Sequence, residues 1–207
     1  MNSRRTVGLA ALFVGLALAA MLRPPVARAA DDGWHDIPCG DSSFAQPETY
    51  DGPIECRAGP THGADMGSGQ RETCSAREYS MAYGRAVRGA DVDQPLVHFR
   101  AYILENNTSR CHMRIGTEHD IVRAEMNLAA AWAGAITFMD PRKIAGGRAI
   151  QFASRDNRRC LAFLKWWRTD VSDIDGVYCD PPGRASTDQP YTDDEIKTRV
   201  GAARLKD

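Results

Sequence analysis

The 207-residue sequence has no GxSxG, no HExxH, no phosphate-binding loop and no dinucleotide fingerprint. The common signatures of serine hydrolases, zinc peptidases, NTPases and dinucleotide enzymes are therefore missing. It has no CxxC pair and no Cys–His pair at finger spacing, which argues against a structural zinc site. An excess of one charge is absent too. With 26 Lys+Arg against 27 Asp+Glu the formal net charge is -1, and no nucleic-acid partner is expected. Lysine is scarce, at 4 residues against 22 arginines. A codon bias or guanidinium-based anion recognition produces such a ratio.

Long hydrophobic runs are confined to the first thirty residues. Arg4 and Arg5 precede a charge-free run of 17 residues, Thr6 to Leu22. Pro24 and Pro25 end it, and Ala27-Arg28-Ala29 supplies small residues before a cut near Ala29 or Ala30. This is the layout of a secretory signal, and the run is short for a membrane span. Ser3-Arg4-Arg5-Thr6-Val7 also resembles a twin-arginine start. Residues 1–30 are thus expected to be a signal peptide and 31–207 a single periplasmic or secreted domain. Removal of four arginines leaves 22 basic against 27 acidic residues, a net of -5.

All six cysteines, Cys39, Cys56, Cys74, Cys111, Cys160 and Cys179, follow the expected cut. An even number in an oxidising compartment reads as three disulfides. Short loops close first, so the expected pairs are 39 with 56, 74 with 111 and 160 with 179.

Residues 31–72 hold 11 Gly or Pro in 42 positions and read as a loop-rich N-terminal segment. Ser75 is placed to cap a helix to Arg88, with Tyr79, Tyr83, Ala86 and Val87 near one face and Gly89 ending it. Val97 to Leu104 alternates as a half-buried strand, followed by a turn at Asn106–Ser109 and a second strand carrying Cys111, Met113 and Ile115. Thr117 begins another expected helix, with Ile121, Val122, Met126, Leu128, Ala129 and Trp132 as its apolar positions. Strands follow at 148–154, 159–167 and 176–179. Asp175-Gly176 is a tight-turn dipeptide that conflicts with pairing Cys160 to Cys179, and the disulfide is preferred, with a turn near Thr169 and Asp170. An extended linker at 180–192 leads to a capping box, Thr192 with Glu195, and a final helix over 193–205. The expected fold is α+β: a small antiparallel sheet with two or three helices, stabilised by disulfides.

A five-residue loop between the strands at 97–104 and 111–115 would oppose Ile103 to Cys111, Ala101 to Met113 and Phe99 to Ile115. The other face then collects His98, Arg100, Tyr102, His112 and Arg114. Two guanidiniums, two imidazoles and a phenol suit an oxyanion or an anionic glycan, with the histidines gaining charge as pH falls towards 6. The same face could be a solvated sheet surface. A hydrolase acting on a phosphodiester through His98 and His112 is the enzymatic alternative. A copper-handling protein using His35, His62, Met66, His112, Met113 and His119 is the third. Lys165-Trp166-Trp167-Arg168, with Arg155, Arg158 and Arg159, mixes aromatics and cations that could stack sugars or meet a partner protein, although one Trp must face inward on a strand. Asp173-Ile174-Asp175-Gly176 lacks calcium-loop ligands at Val171 and Pro182. The expectation is a binding or envelope-associated module without a metal or cofactor, with a small anion, a glycan or an envelope protein as its partner.

Overall fold

A computed structural model describes residues 33–48, 50–64, 74–105, 133–168 and 172–206. Among the described residues nine strands form one antiparallel sheet: β1 (His35–Ile37), β2 (Ile54–Ala64), β3 (Cys74–Gly84), β4 (Leu96–Leu104), β5 (Ala135–Phe138), β6 (Arg142–Ile144), β7 (Gly147–Ser154), β8 (Arg159–Arg168) and β9 (Ser172–Cys179). Their spatial order is β1-β2-β3-β4-β9-β8-β7-β5, with β6 also paired to β7. One helix, α1 (Asp193–Ala202), follows. The protein is therefore mostly β, and the α+β expectation is overturned.

Three particulars account for the difference. Residues 75–84 form a strand, not a helix. Tyr79 and Tyr83 lie four apart, a spacing that one face of a helix and one face of a strand both satisfy. Cross-strand partners on both sides decide the matter, since Met81 lies opposite Cys56 and Phe99 at once. The loop-rich reading of 31–72 fails at β2, an eleven-residue strand. Its pairing with β3 shifts between Ala58 and Thr61, so Gly59 and Pro60 occupy a bulge where a missing N–H interrupts no regular ladder. Thirdly, β4 pairs along its length with β3 on one edge and β9 on the other. No edge of β4 is left for the hairpin expected with residues 111–115. The helix expected from Thr117 to Trp132 lies outside the described residues.

Asp175-Gly176 lies within β9, neither turn nor bulge. Gly176 faces Phe99 of β4 and Phe163 of β8. A Cβ there would fall 2.6 Å from the Phe99 ring and 2.7 Å from the Phe163 ring. The missing side chain lets these two rings meet across the middle strand, 5.7 Å apart.

The sheet buries both faces of its central strands. On one, Met81, Tyr83, Val97, Phe99, Leu161, Phe163 and Ile174 pack beneath Phe44, Tyr191, Ile196, Val200 and Leu205. On the other, Leu96, Ile150, Phe152, Cys160, Ala162, Val177 and Cys179 form a second cluster. Each fully buried large side chain contributes roughly 1.5–3 kcal/mol. Cys39–Cys56 and Cys160–Cys179 are disulfides, and Cys160 lies directly opposite Cys179. The third expected bridge, Cys74 with Cys111, falls outside the described residues. Two disulfides are what an oxidising, non-cytoplasmic compartment produces. No helix among the described residues is long and apolar enough to cross a membrane.

The Thr192–Glu195 capping box starts α1, which ends at Ala202, after which Leu205 bridges to Phe44. The expected linker before it is pinned. The Gln151 amide donates to the carbonyls of Thr187 and Gln189, and its oxygen accepts from the Tyr191 N–H. Beneath the helix, buried Lys165 donates to the Val200 carbonyl at 2.7 Å, and Trp167 packs against the core. The Lys165-Trp166-Trp167 segment thus turns two of its side chains inward.

Candidate functional site

Away from α1, the second face of the sheet is apolar around Leu96, Ile150, Phe152, Ala162 and Val177, and polar over much of β2–β4 and the Asp173–Asp175 stretch of β9. Strand alternation sets the pattern. Because Cys56 points into the core, Glu55 and Arg57 point the other way. Register then aligns three rows. Glu78, Tyr102 and Asp173 form one; Arg57, Ser80, Arg100 and Asp175 the next; Glu55, Ala82, His98 and Val177 the third.

A cleft of about 270 Å³ opens over these rows, lined by Trp34, Glu55, Arg57, Ser80, His98 and Arg100, with Ala82 and Ala86 in its wall. Its size suits a small ligand. Both arginines are oriented by carboxylates. Arg100 grips Asp175 with Nε at 3.0 Å and with Nη2. Arg57 donates from Nε to Asp36 at 3.1 Å and from Nη2 to the Trp34 carbonyl at 3.3 Å. The side chains of Arg57 and Arg100 nevertheless stay 44% and 41% exposed, so part of each guanidinium meets the cleft. Burial works against the charge on Arg100, but the Asp175 fork outweighs it and raises its pKa. The Arg57 guanidinium lies 5.9 Å from the centre of the Trp34 ring, and that indole packs over Gly59, where a Cβ would come within 3.0 Å of it.

The structure thus brings His98, Arg100 and Tyr102 to one face. His112 and Arg114 lie outside the described residues, and the register that placed them beside His98 is not open on β4. His98 is only 3% exposed, flanked across the ladder by Ala82 and Val177. Burial, then the charges of Arg100 and Arg57, push its pKa down to about 3. The expectation that it gains charge as pH falls towards 6 is therefore corrected: His98 stays neutral there. Trp34, Glu55, Arg57 and Ser80 were missed from sequence. Glu55 and Arg57 flanking an inward Cys56 were the available signal, hidden by the surrounding Gly-Pro pairs. Among the described residues no three His, Cys, Asp or Glu side chains come together to hold a metal. Of the copper candidates, His35 lies on β1 and His62 on β2; Met66, His112, Met113 and His119 lie outside the described residues.

The chain matches no protein-family model, no curated protein and no solved structure. Any functional reading rests on the geometry of this face.

That geometry carries a pH signature. Burial, then the Asp175 charge, raise Asp173 to about 7, with Arg100 pulling the other way. Between its ordinary 3.8 and 7 the folded chain holds this proton more tightly, so the Asp173 contribution to stability falls as pH rises through that window. For His98 the unfolded chain binds the proton more tightly between about 3 and the ordinary 6.5, so its contribution falls as pH drops. The two oppose each other near pH 5. His98→Gln removes one of them, and the variant is expected to gain stability relative to wild type on acidification from pH 7 to 4, by up to roughly 3 kcal/mol. Urea unfolding across that range checks it; parallel pH curves for variant and wild type would refute the assignment.

Proposed function

We propose that this is an exported binding module, directed out of the cytoplasm by residues 1–30, that holds an anionic saccharide in the cleft between Trp34 and Arg100. The observation that carries this reading is the pair of half-exposed guanidiniums, each held in place by a carboxylate, beside an indole. Fixed forks favour a ligand carboxylate or sulfate because little side-chain entropy remains to be lost on binding. Trp34 adds an aromatic surface for the apolar face of a sugar ring, and Glu55 and Ser80 supply hydrogen-bonding partners for hydroxyls. With a carboxylate already beside each arginine, the cleft favours a polar ligand with one acidic group over a compact, highly charged anion. Hydrolysis through His98 is disfavoured, because an imidazole with a pKa near 3 has little proton affinity and is almost fully buried.

Glucuronate and galacturonate are the probes. Each is expected to raise the melting temperature of the wild type and to give a saturating calorimetric isotherm, with no product formed on prolonged incubation. Arg57→Ala removes one charge-assisted hydrogen bond and should weaken binding about tenfold or more. Trp34→Leu should weaken it independently. If neither uronate, nor sulfate, nor phosphate shifts the melting temperature of the wild type, the reading is wrong.

A further inference from the structure

Ala86 stands in the wall of the cleft. The same residue lines a second groove of about 360 Å³, whose charged wall is Arg85, Arg155 and Asp156 and whose apolar floor includes Leu96 and Ala133. This groove lies at one end of the sheet, between the connection from β3 to β4 and the turn from β7 to β8. Gly84, at φ +65°, turns the chain out of β3, and the Arg85 N–H donates to the Pro95 carbonyl at 2.9 Å. Buried Arg158 then ties the two connections together. Its Nη1 donates to the Gln94 carbonyl at 2.7 Å, its Nη2 to the Val92 carbonyl and its Nε to Asp156 at 2.8 Å.

Asp156 is thereby shared, since Arg85 pairs with it as well. Arg155 is exposed and lines the groove beside Asp156. Arg85 and Arg158 thus share one carboxylate, with Asp93 as a further acid near Arg158. The first cleft differs in this respect, because Arg57 and Arg100 each have a carboxylate of their own. Among the described residues the second groove sets Arg85 and Arg155 against the single lining carboxylate of Asp156, and Ala86 lines both the cleft and the groove.

We infer that the cleft and the groove are adjoining subsites of one extended site, and that the ligand is an oligosaccharide carrying acidic groups on successive units. This rests on the reading of the first cleft as a sugar-acid site. One unit sits between Trp34, Arg57 and Arg100; a later unit crosses Ala86 and gives its carboxylate to Arg85 and Arg155. Joining the two contacts on one chain makes the second intramolecular, which raises affinity beyond that of a single unit. The exposed arginines also make the gain sensitive to salt.

Calorimetry with galacturonate monomer and hexamer tests this in the full mature chain. The hexamer is expected to bind roughly a hundredfold more tightly than the monomer, with the advantage shrinking as salt is added. Arg155→Ser, on an exposed turn, should collapse the hexamer-to-monomer ratio to within about threefold, and Ala86→Trp should do the same by blocking the passage. Equal binding of monomer and hexamer by the wild type overturns the extension while leaving the first cleft intact, as does an unchanged ratio in Arg155→Ser. Binding of neither probe overturns the sugar-acid reading itself, and the extension with it.

Discussion

Replacing Asp180 by Ala is expected to lower stability by roughly 3–5 kcal/mol and the melting temperature by roughly 10 °C. Asp180 is 1% exposed and stands between two arginines. Its Oδ2 accepts from Nε of Arg159 at 2.9 Å, and its Oδ1 from Nη2 of Arg199 at 2.7 Å. Arg159 also donates to Glu195 at 2.8 Å, in the first turn of α1. Both guanidiniums lie over the ring of Tyr191, at 4.0 and 5.1 Å from its centre. This network joins β8, the end of β9 and the helix. Removing its central acid leaves buried Arg159 with Glu195 alone and takes from part-buried Arg199 its 2.7 Å partner, and that desolvation penalty exceeds what the intact network contributes. Asp180→Asn keeps one acceptor and the side-chain volume, so it should cost less than Ala but still more than 1 kcal/mol. Urea denaturation midpoints decide the matter. A loss below about 1 kcal/mol for Asp180→Ala would show that the helix is held by apolar packing alone.

The second large effect is expected from the paired substitution Cys160→Ala and Cys179→Ala. Closing a loop of this length restricts the unfolded chain by about 3 kcal/mol, and both sulfurs are fully buried in the second apolar cluster. Their removal leaves a cavity among Leu96, Phe152 and Val177, which adds a packing loss. Cys39–Cys56 spans a similar length, 17 residues against 19, but only Cys56 belongs to the buried core, Cys39 being partly exposed. Its loss should therefore cost less, although the loop entropy is nearly equal. Calorimetric melting of the two double variants compares them directly. If removing Cys39 and Cys56 lowers the melting temperature as far as removing Cys160 and Cys179, buried packing is not what separates the bridges.

Part of the polar face was readable in advance. Alternation along 97–104 correctly set His98, Arg100 and Tyr102 opposite Val97, Phe99 and Ala101, because a strand's period of two is written in consecutive residues. The partners of those residues were not readable. Asp175 reaches Arg100 across a ladder between strands separated by a long stretch of chain, and nothing near either residue announces the other. Arg57 and Trp34 were hidden for a related reason: they come from a Gly-Pro-rich stretch whose composition argues for loops. Only pairing with β3, carried through the bulge at Gly59 and Pro60, makes it a strand.

The features that the residues determined by themselves are short in reach. The capping box at Thr192 and Glu195, the alternation of β4 and the two described disulfides follow from contacts within a few residues or from the closure of short loops. Tertiary pairing decided the rest. Tyr79 and Tyr83 suit a helix as well as a strand until Met81 finds both Cys56 and Phe99. Asp175-Gly176 suits a turn until two phenylalanine rings occupy the space above the glycine. The neighbours of β4, and hence which charges meet on its polar face, depend on which strands claim its two edges. Local free energies of a few tenths of a kcal/mol leave such choices open; ladder hydrogen bonds and burial, summed over whole strands, close them.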